Sequence, residues 1–202
     1  MTLTSNQCDA LQELGNIGAA HAATTLSTML MTNIEMNVPE INIVQLSHLH
    51  EYVGDELGAL VLFEINGEVT SGGYILLNVP KQSIIRLTNA MLGMTDDERD
   101  LSEMDESAII EIGNIMVSAF LDGVAGLLNI IILPSPPNLT IDMPHAAFEC
   151  ILATEEDIDE VVIFKTELKS DQYEIFSDIF LLPNNPMLAD IINRLEELLK
   201  PI

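Results

Sequence analysis

The sequence predicts an α+β fold with an internal duplication: two long helices packed on an antiparallel β-sheet, with further amphipathic helices, arranged as a pseudo-twofold domain. Three observations predict it. Two segments of helical character, opening at Thr4 and Ser102, align at one offset, since 102 − 4, 111 − 13 and 114 − 16 all equal 98. Pro39 and Pro137 interrupt β-type segments downstream and are again 98 residues apart. Each half then closes on a hairpin-like pair of Val-, Ile-, Phe- and Leu-rich runs, a proline and an amphipathic helix.

Taken in order, residues 4 to about 30 read as one helix, with Thr4 and Gln7 forming a capping-box pattern and Leu3 placed as a hydrophobic staple. "NIEMNVPEINIV" follows as a proline-interrupted strand, then "GALVLFEINGEVTSGGYILLNVP" as a hairpin turning at residues 66–68, then the helix "KQSIIRLTNAML". The acidic segment "MTDDERDLSEMDES", residues 94–107, is the junction, a linker whose carboxylates suit the N-terminal end of the next helix dipole. That helix runs from Ser102 to about residue 128, with Ser102 as N-cap and Asp105 three positions on. "NIIILPSPPNLTI" is the second interrupted strand, and the second hairpin turns at residues 169–172 before "NPMLADIINRLEELL". Short helical pieces around residues 48–52 and 144–152 fill the gap before each hairpin. The expected organisation is one domain, residues 1–202, of two repeats at approximately 1–98 and 99–202.

Composition bounds the function. A chain of 202 residues, 48% hydrophobic and without Trp, is long and apolar enough for a substantial aliphatic core. No uninterrupted apolar run reaches the roughly 18 residues a membrane-spanning helix needs, and "MTLTSNQCDALQ" lacks a signal-peptide pattern. The expectation is a cytoplasmic protein. A net charge of −25, from 7 basic and 32 acidic residues, repels phosphate backbones and anionic lipid. It excludes nucleic acid and membrane as natural partners, and fits either a partner with exposed Lys or Arg or an adaptation to salt. Cys8 and Cys150 have no metal-ligand spacing and read as reduced packing residues.

The chemistry lies in the two long helices. Asp9, Glu13 and Asn16 sit at spacings of four and three, so they share one helix face, as do Ser107, Glu111 and Asn114. The residues between are mostly Ala, Leu, Ile and Gly, which belong against a sheet, so the polar stripe is expected to face outward. A half-buried helix needs a wet side, and one Glu-x-x-Asn would say no more than that. Yet Asn is a mediocre mid-helix residue, and the pair returns at identical register while Gly18 and Met116 differ. Gly15 and Gly113 precede each Asn at a cost of about 1 kcal/mol of helix propensity, either for close packing on the sheet or for close approach of a partner.

A carboxylate and a carboxamide without a neighbouring His, Ser or Cys build no nucleophilic triad. The helices offer too few convergent carboxylates for a metal site. An amide can accept a hydrogen bond from water and aim it at an electrophile, and a carboxylate can pair with a partner's lysine. That combination suits hydrolysis of an already labile bond.

Asp or Ser, three residues, Glu, two residues, Asn, twenty-two residues and Pro is a pattern filled twice, by Asp9, Glu13, Asn16, Pro39 and by Ser107, Glu111, Asn114, Pro137. In this the chain resembles the family of CheC, CheX and FliY phosphatases along essentially its whole length. The double motif is most similar to the CheC type, since FliY carries a further motor-switch domain and CheX typically a single motif copy. The resemblance implies a phosphatase that hydrolyses the aspartyl phosphate of the chemotaxis response regulator CheY. Asn16 and Asn114 would orient the attacking water, while Glu13 and Glu111 would pair with the regulator's lysine. Asp9 and Ser107 would be supporting positions, and Pro39 and Pro137 structural ones. The Mg²⁺ would be carried by the CheY substrate, leaving no cofactor of the chain's own. The deamidase CheD is implied as a second partner, and the chain is expected to be a monomer.

Two other readings stand beside this one. The chain could be a non-catalytic module that sequesters phospho-CheY or serves as an adaptor for CheD, or a structural part of the flagellar switch. His21, His48, His50 and His145 are scattered and read as non-catalytic. The ten methionines read as core filler, and "TEEDIDE", residues 154–160, as a solvated loop.

Overall fold

A computed structural model describes residues 4–69, 73–146, 148, 160–169 and 174–198, and only the backbone at 37, 39, 50, 166, 168, 169 and 174. Helix α1, Ser5–Leu30, opens on the expected capping box: the Thr4 N–H donates to Gln7 Oε1 at 2.7 Å, and Gln7 N–H reaches Thr4 Oγ1 at 3.4 Å. Strand β1 is Glu35–Gln45, followed by a 3₁₀ turn at Leu46–Glu51. Strands β2, Gly58–Gly67, and β3, Gly73–Pro80, form the first hairpin and lead to α2, Lys81–Leu92. Helix α3, Glu103–Leu128, is followed by β4, Ile132–Pro134, and β5, Asn138–Asp142. Strands β6, Glu160–Lys169, and β7, Glu174–Pro183, form the second hairpin, and α4 is Asn185–Leu198.

All strand pairings in the seven-stranded sheet are antiparallel, in the order β1-β6-β7-β3-β2, with β4 and β5 both on the far edge of β2. The first strand of each half thus lies on the hairpin of the other half. The order is unchanged when the strands of the two halves are interchanged. Both sheet edges are broken strands. β1 shifts register between Asn37 and Glu40, around Pro39, and the other edge breaks at residues 135–137, where Pro136 and Pro137 have no N–H to give. Ser135 bridges that gap: its N–H donates to the Glu64 carbonyl at 2.9 Å, and its hydroxyl oxygen accepts the Glu64 N–H at 2.9 Å.

Period-two alternation sends the strand residues to two cores. On one face Val61, Phe63, Ile75, Leu77, Val162, Phe164 and Ile179 pack under α1, α3, α2 and α4. On the other, Leu60, Leu76, Ile163, Phe180 and Leu182 are covered by Leu46 and Leu49 of the 3₁₀ turn and by Phe148, whose ring meets Phe180 edge-on at 5.0 Å. The sequence does not specify what covers this second face.

Some expectations need correction. The first turn is not at residues 66–68, because Asn66 and Gly67 remain in β2 and pair with Leu133 and Ile132 of β4. Gly67, at φ 117°, is approached so closely by the Ile131 carbonyl that no side chain fits. Cys8 is an exposed free thiol, not a packing residue. Met116 and Met187 are core, whereas Met31, Met91, Met104 and Met143 are exposed. Helix α3 is long and apolar enough by composition to cross a membrane, which a search for uninterrupted apolar runs passes over; more than half of its most apolar stretch is buried inside the protein. The 169–172 turn beyond residue 169, Leu3, Cys150, residues 154–159 of the acidic run and most of the 144–152 helical piece lie outside the described residues; 144–146 and 148 are helical.

Candidate active site

The inner faces of α1 and α3 determine where their outer faces stand. Leu11, Leu14, Gly15, Gly18, Ala22 and Leu26 line the buried stripe of α1. A Cβ on Gly15 would lie 2.6 Å from Cδ1 of Phe164, and one on Gly18 would lie 2.6 Å from Cδ2 of Phe120. The two rings meet edge-on at 5.5 Å. Glycines on either side of Asn16 thus seat α1 on an aromatic pair, directly inward of the polar stripe. The glycine question left open by the sequence has a packing answer: both Gly15 and Gly113 are buried and turned to the sheet, and a Cβ on Gly113 would stand 3.2 Å from both Val61 methyls. At the crossing of α1 and α3, a Cβ on Gly123 would stand 3.0 Å from the Ile17 carbonyl and 3.1 Å from the Gly18 Cα.

Opposite these buried stripes, Asp9, Glu13 and Asn16 are exposed on α1; on α3 Ser107 and Glu111 are exposed and Asn114 is half-buried. At 100° per residue each trio spans about 60° of arc. Among the described residues, no hydrogen bond or ion pair within the chain ties up Glu13, Asn16, Glu111 or Asn114. Asn6, Asp9, Ala10 and Glu13 line an open depression at the N-terminal side of the first trio. Ser107 donates its hydroxyl to the Glu103 carbonyl at 3.0 Å. Pro39 and Pro137 are not at these faces but at the two breaks in the sheet edges; Gln12, next to Glu13, donates to the Val38 carbonyl at 2.6 Å and so anchors α1 to the first break.

The other sequence candidates are not assembled with these groups. His21 and His48 are exposed, the His50 side chain lies outside the described residues, and His145 Nδ1 stands 3.8 Å from an Asp55 oxygen. Among the described residues, no group of three or more His, Cys, Asp or Glu could hold a metal ion. Each polar face can therefore offer a free carboxylate to a partner's cation and a free amide to a water, on a helix held rigidly from below.

Sequence reasoning missed a buried polar network beside the second face. Asp105, at 1% exposure, accepts both Arg99 Nη1 and Nη2 at 2.6 Å, the Ser102 N–H at 2.8 Å, the Ser102 hydroxyl at 2.7 Å and the Thr88 hydroxyl. The Arg99 guanidinium, with help from Ser102 and Thr88, holds the Asp105 carboxyl well below the usual carboxylate range against the opposing effect of burial. The signal was present as a lone arginine inside "MTDDERDLSEMDES".

Residues 7–43 and 104–141 each match the CheC-like family, and the two matched segments carry both copies of the motif. The chain is 28% identical over 190 residues, 90% of each chain, to the CheY-P phosphatase CheC of Bacillus subtilis. Its fold is that of Thermotoga maritima FliY, with a TM-score of 0.80 at 22% identity, covering 98% of this chain and 99% of that one. It is also that of a chemotaxis protein CheX from Desulfovibrio desulfuricans, with a TM-score of 0.52 at 16% identity over 84% of this chain and 99% of that one. With the CheC-like family matched once in each half and the fold of FliY shared across essentially the whole length, the chain is similar to the CheC-like proteins in both sequence and fold.

Proposed function

We propose that this protein is a cytoplasmic, monomeric phosphatase that hydrolyses the aspartyl phosphate of the response regulator CheY at two sites. The observation that carries the proposal is the recurrence of an outward-facing, internally unpaired Glu-x-x-Asn face on α1 and on α3, each on a glycine-seated helix. The kinship with a protein named a CheY-P phosphatase supports it.

In this reading Glu13 or Glu111 pairs with a lysine of the regulator and so sets the helix across its phosphorylated face. Asn16 or Asn114, one turn further on the same face, accepts a hydrogen bond from a water and holds it in line with phosphorus. The water oxygen bonds to phosphorus as the bond to the aspartyl oxygen breaks, leaving a free aspartate on the regulator and inorganic phosphate. Phosphoryl transfer of this kind asks little covalent chemistry of the protein, so positioning suffices. The Mg²⁺ beside the phosphoryl group is part of the regulator substrate. The net charge of −25 draws in a partner with a basic face. CheD is a second proposed partner, and no particular surface of the fold is assigned to it.

The test is the decay of phosphorylated CheY mixed with the parent chain and with Asn16→Ala/Asn114→Ala. The double variant is expected to lose about 10²-fold in rate or more while still binding the regulator. Unaccelerated decay with the parent chain refutes hydrolysis and leaves a binding module. Each single Asn variant is expected to retain one working site.

A further inference from the structure

We propose that Arg99 and Asp105 form a positioning device for the second site alone, so that the two sites are held by unequal means. The inference rests on the reading of the outward face of α3 as a catalytic site.

The device is a closed network between α2, the loop before α3 and the first turn of α3. Besides gripping Asp105, Arg99 donates from Nε and Nη2 to Asn89 Oδ1 at 3.2 and 3.0 Å, from Nη2 to Thr88 Oγ1 at 3.1 Å, and from Nη1 to the Asp100 carbonyl at 3.2 Å. Asn89 in turn donates to the Asp96 carbonyl at 3.0 Å and to an Asp97 carboxylate oxygen at 2.9 Å. Thr88, Asn89 and Asp105 are all at least nine-tenths buried. A planar guanidinium bonded through both Nη atoms to one carboxylate fixes direction as well as distance, which a lysine cannot do.

The corresponding position in the first half, 98 residues earlier, is Gln7. Its amide oxygen caps Thr4, and its Nε2 donates to Glu196 Oε1 of α4 at 2.7 Å, a solvent-exposed contact between uncharged and charged ends of flexible side chains. The same place in the fold thus carries a buried bidentate ion pair in one half and an exposed hydrogen bond in the other. Ser107 lies two residues beyond Asp105, Glu111 six and Asn114 nine, so at 1.5 Å per residue the carboxylate that docks the regulator is about 9 Å from the device and the amide about 13 Å. A helix loosened at its first turn misplaces Glu111 more than Asn114. Docking suffers before chemistry.

The experiment uses the full chain in two single-site backgrounds. With Asn16→Ala, turnover comes from the second site; with Asn114→Ala, from the first. Arg99→Gln is placed in each, and steady-state hydrolysis of phosphorylated CheY is measured, with amide hydrogen exchange of the first turns of α1 and α3 alongside. In the Asn16→Ala background KM is expected to rise about tenfold with kcat nearly unchanged, and Arg99→Lys to fall between. In the Asn114→Ala background both constants are expected to stay as they were, while exchange quickens at the start of α3 and not of α1. An equal loss in both backgrounds would make the network a prop for the whole fold, and an unchanged KM in the Asn16→Ala background would remove its positioning role; either overturns the proposal. A parent chain that leaves phospho-CheY decay unaccelerated defeats the phosphatase reading itself, which the exchange arm does not depend on.

Discussion

Replacing Gly15 by alanine sets two known effects against each other. Alanine is the better helix former by about 1 kcal/mol, so on an open helix face the change would stabilise. Here the new methyl would stand 2.6 and 2.8 Å from two atoms of the Phe164 ring. That ring is fully buried and edge-on to Phe120 at 5.5 Å, and the space it could yield into is a small apolar cavity of about 20 Å³ that it lines with Leu14 and Phe120. Overpacking of a core costs about 1–3 kcal/mol, and a neighbour with so little room puts this case at the upper end. The net expectation is a loss of about 1–2 kcal/mol, or about 2–8 °C in melting temperature for a chain of this size. Gly113 is the built-in control. A methyl there meets the two Val61 methyls at 3.2 Å, a distance a valine can relieve by a few tenths of an ångström. Strain and helix propensity should then cancel at about 1 kcal/mol each, leaving Gly113→Ala near neutral. Urea denaturation followed by circular dichroism gives the midpoints, with an unchanged slope required for the comparison. A Gly15→Ala chain as stable as its parent, or a Gly113→Ala chain equally damaged, would refute the packing account of these glycines.

Three further outcomes are expected. Glu13→Lys/Glu111→Lys should weaken regulator binding by placing like charges together, with the defect shrinking as salt is raised; titration calorimetry at two ionic strengths measures it. Met31 ends α1 in the left-handed region at φ 51° with 92% of its surface exposed, so Met31→Gly should raise stability by about 1 kcal/mol in a thermal melt, since only the backbone preference changes. The depressed Asp105 carboxyl gives stability that is present above its unfolded value of about 3.9 and lost as pH falls through the lower folded value. The melting-temperature gap between the parent and Asp105→Asn should therefore be wide at pH 7 and close progressively below about pH 4.

What could be read from the sequence was what local chemistry decides. Thr4 with Gln7 and Ser102 with Asp105 mark helix starts within one residue of those observed, because a cap is satisfied by its own neighbours. The polar faces were legible because their residues answer to no internal partner and keep their spacing. Long-range contacts were not legible. Asn66 and Gly67 look like a turn, and they stay in a strand only because β4 arrives from 65 residues away to pair with them. Arg99 looks like one charge in a solvated acidic run until α2 brings Thr88 and Asn89 against it. The covered second face of the sheet likewise depends on where the 3₁₀ turn and Phe148 fold back.

The two halves differ beneath their polar faces. Taking counterparts at an offset of 98 in the helices and 103 in the hairpins, Phe164 answers to Val61, Phe120 to Ala22 and Gly18 to Met116. The first face rests on two aromatic rings admitted by glycines. The second rests on Val61, and the counterpart positions of Gly18 and Phe120 hold Met116 and Ala22, both fully buried. Positions beside the motif on the outward surface have changed as well: Asn6 answers to Met104, Ala20 to Ser118 and Thr24 to Asp122. A polar stripe that merely solvated a half-buried helix would be free to drift with its surroundings, since any of several polar residues keeps a helix wet. Here the floor and the flanks differ between the halves, yet Glu and Asn stand at the same spacing on both helices. Packing does not demand that pair, and solvation does not demand that spacing. The proposed task, performed on a partner laid across the helix, would demand both.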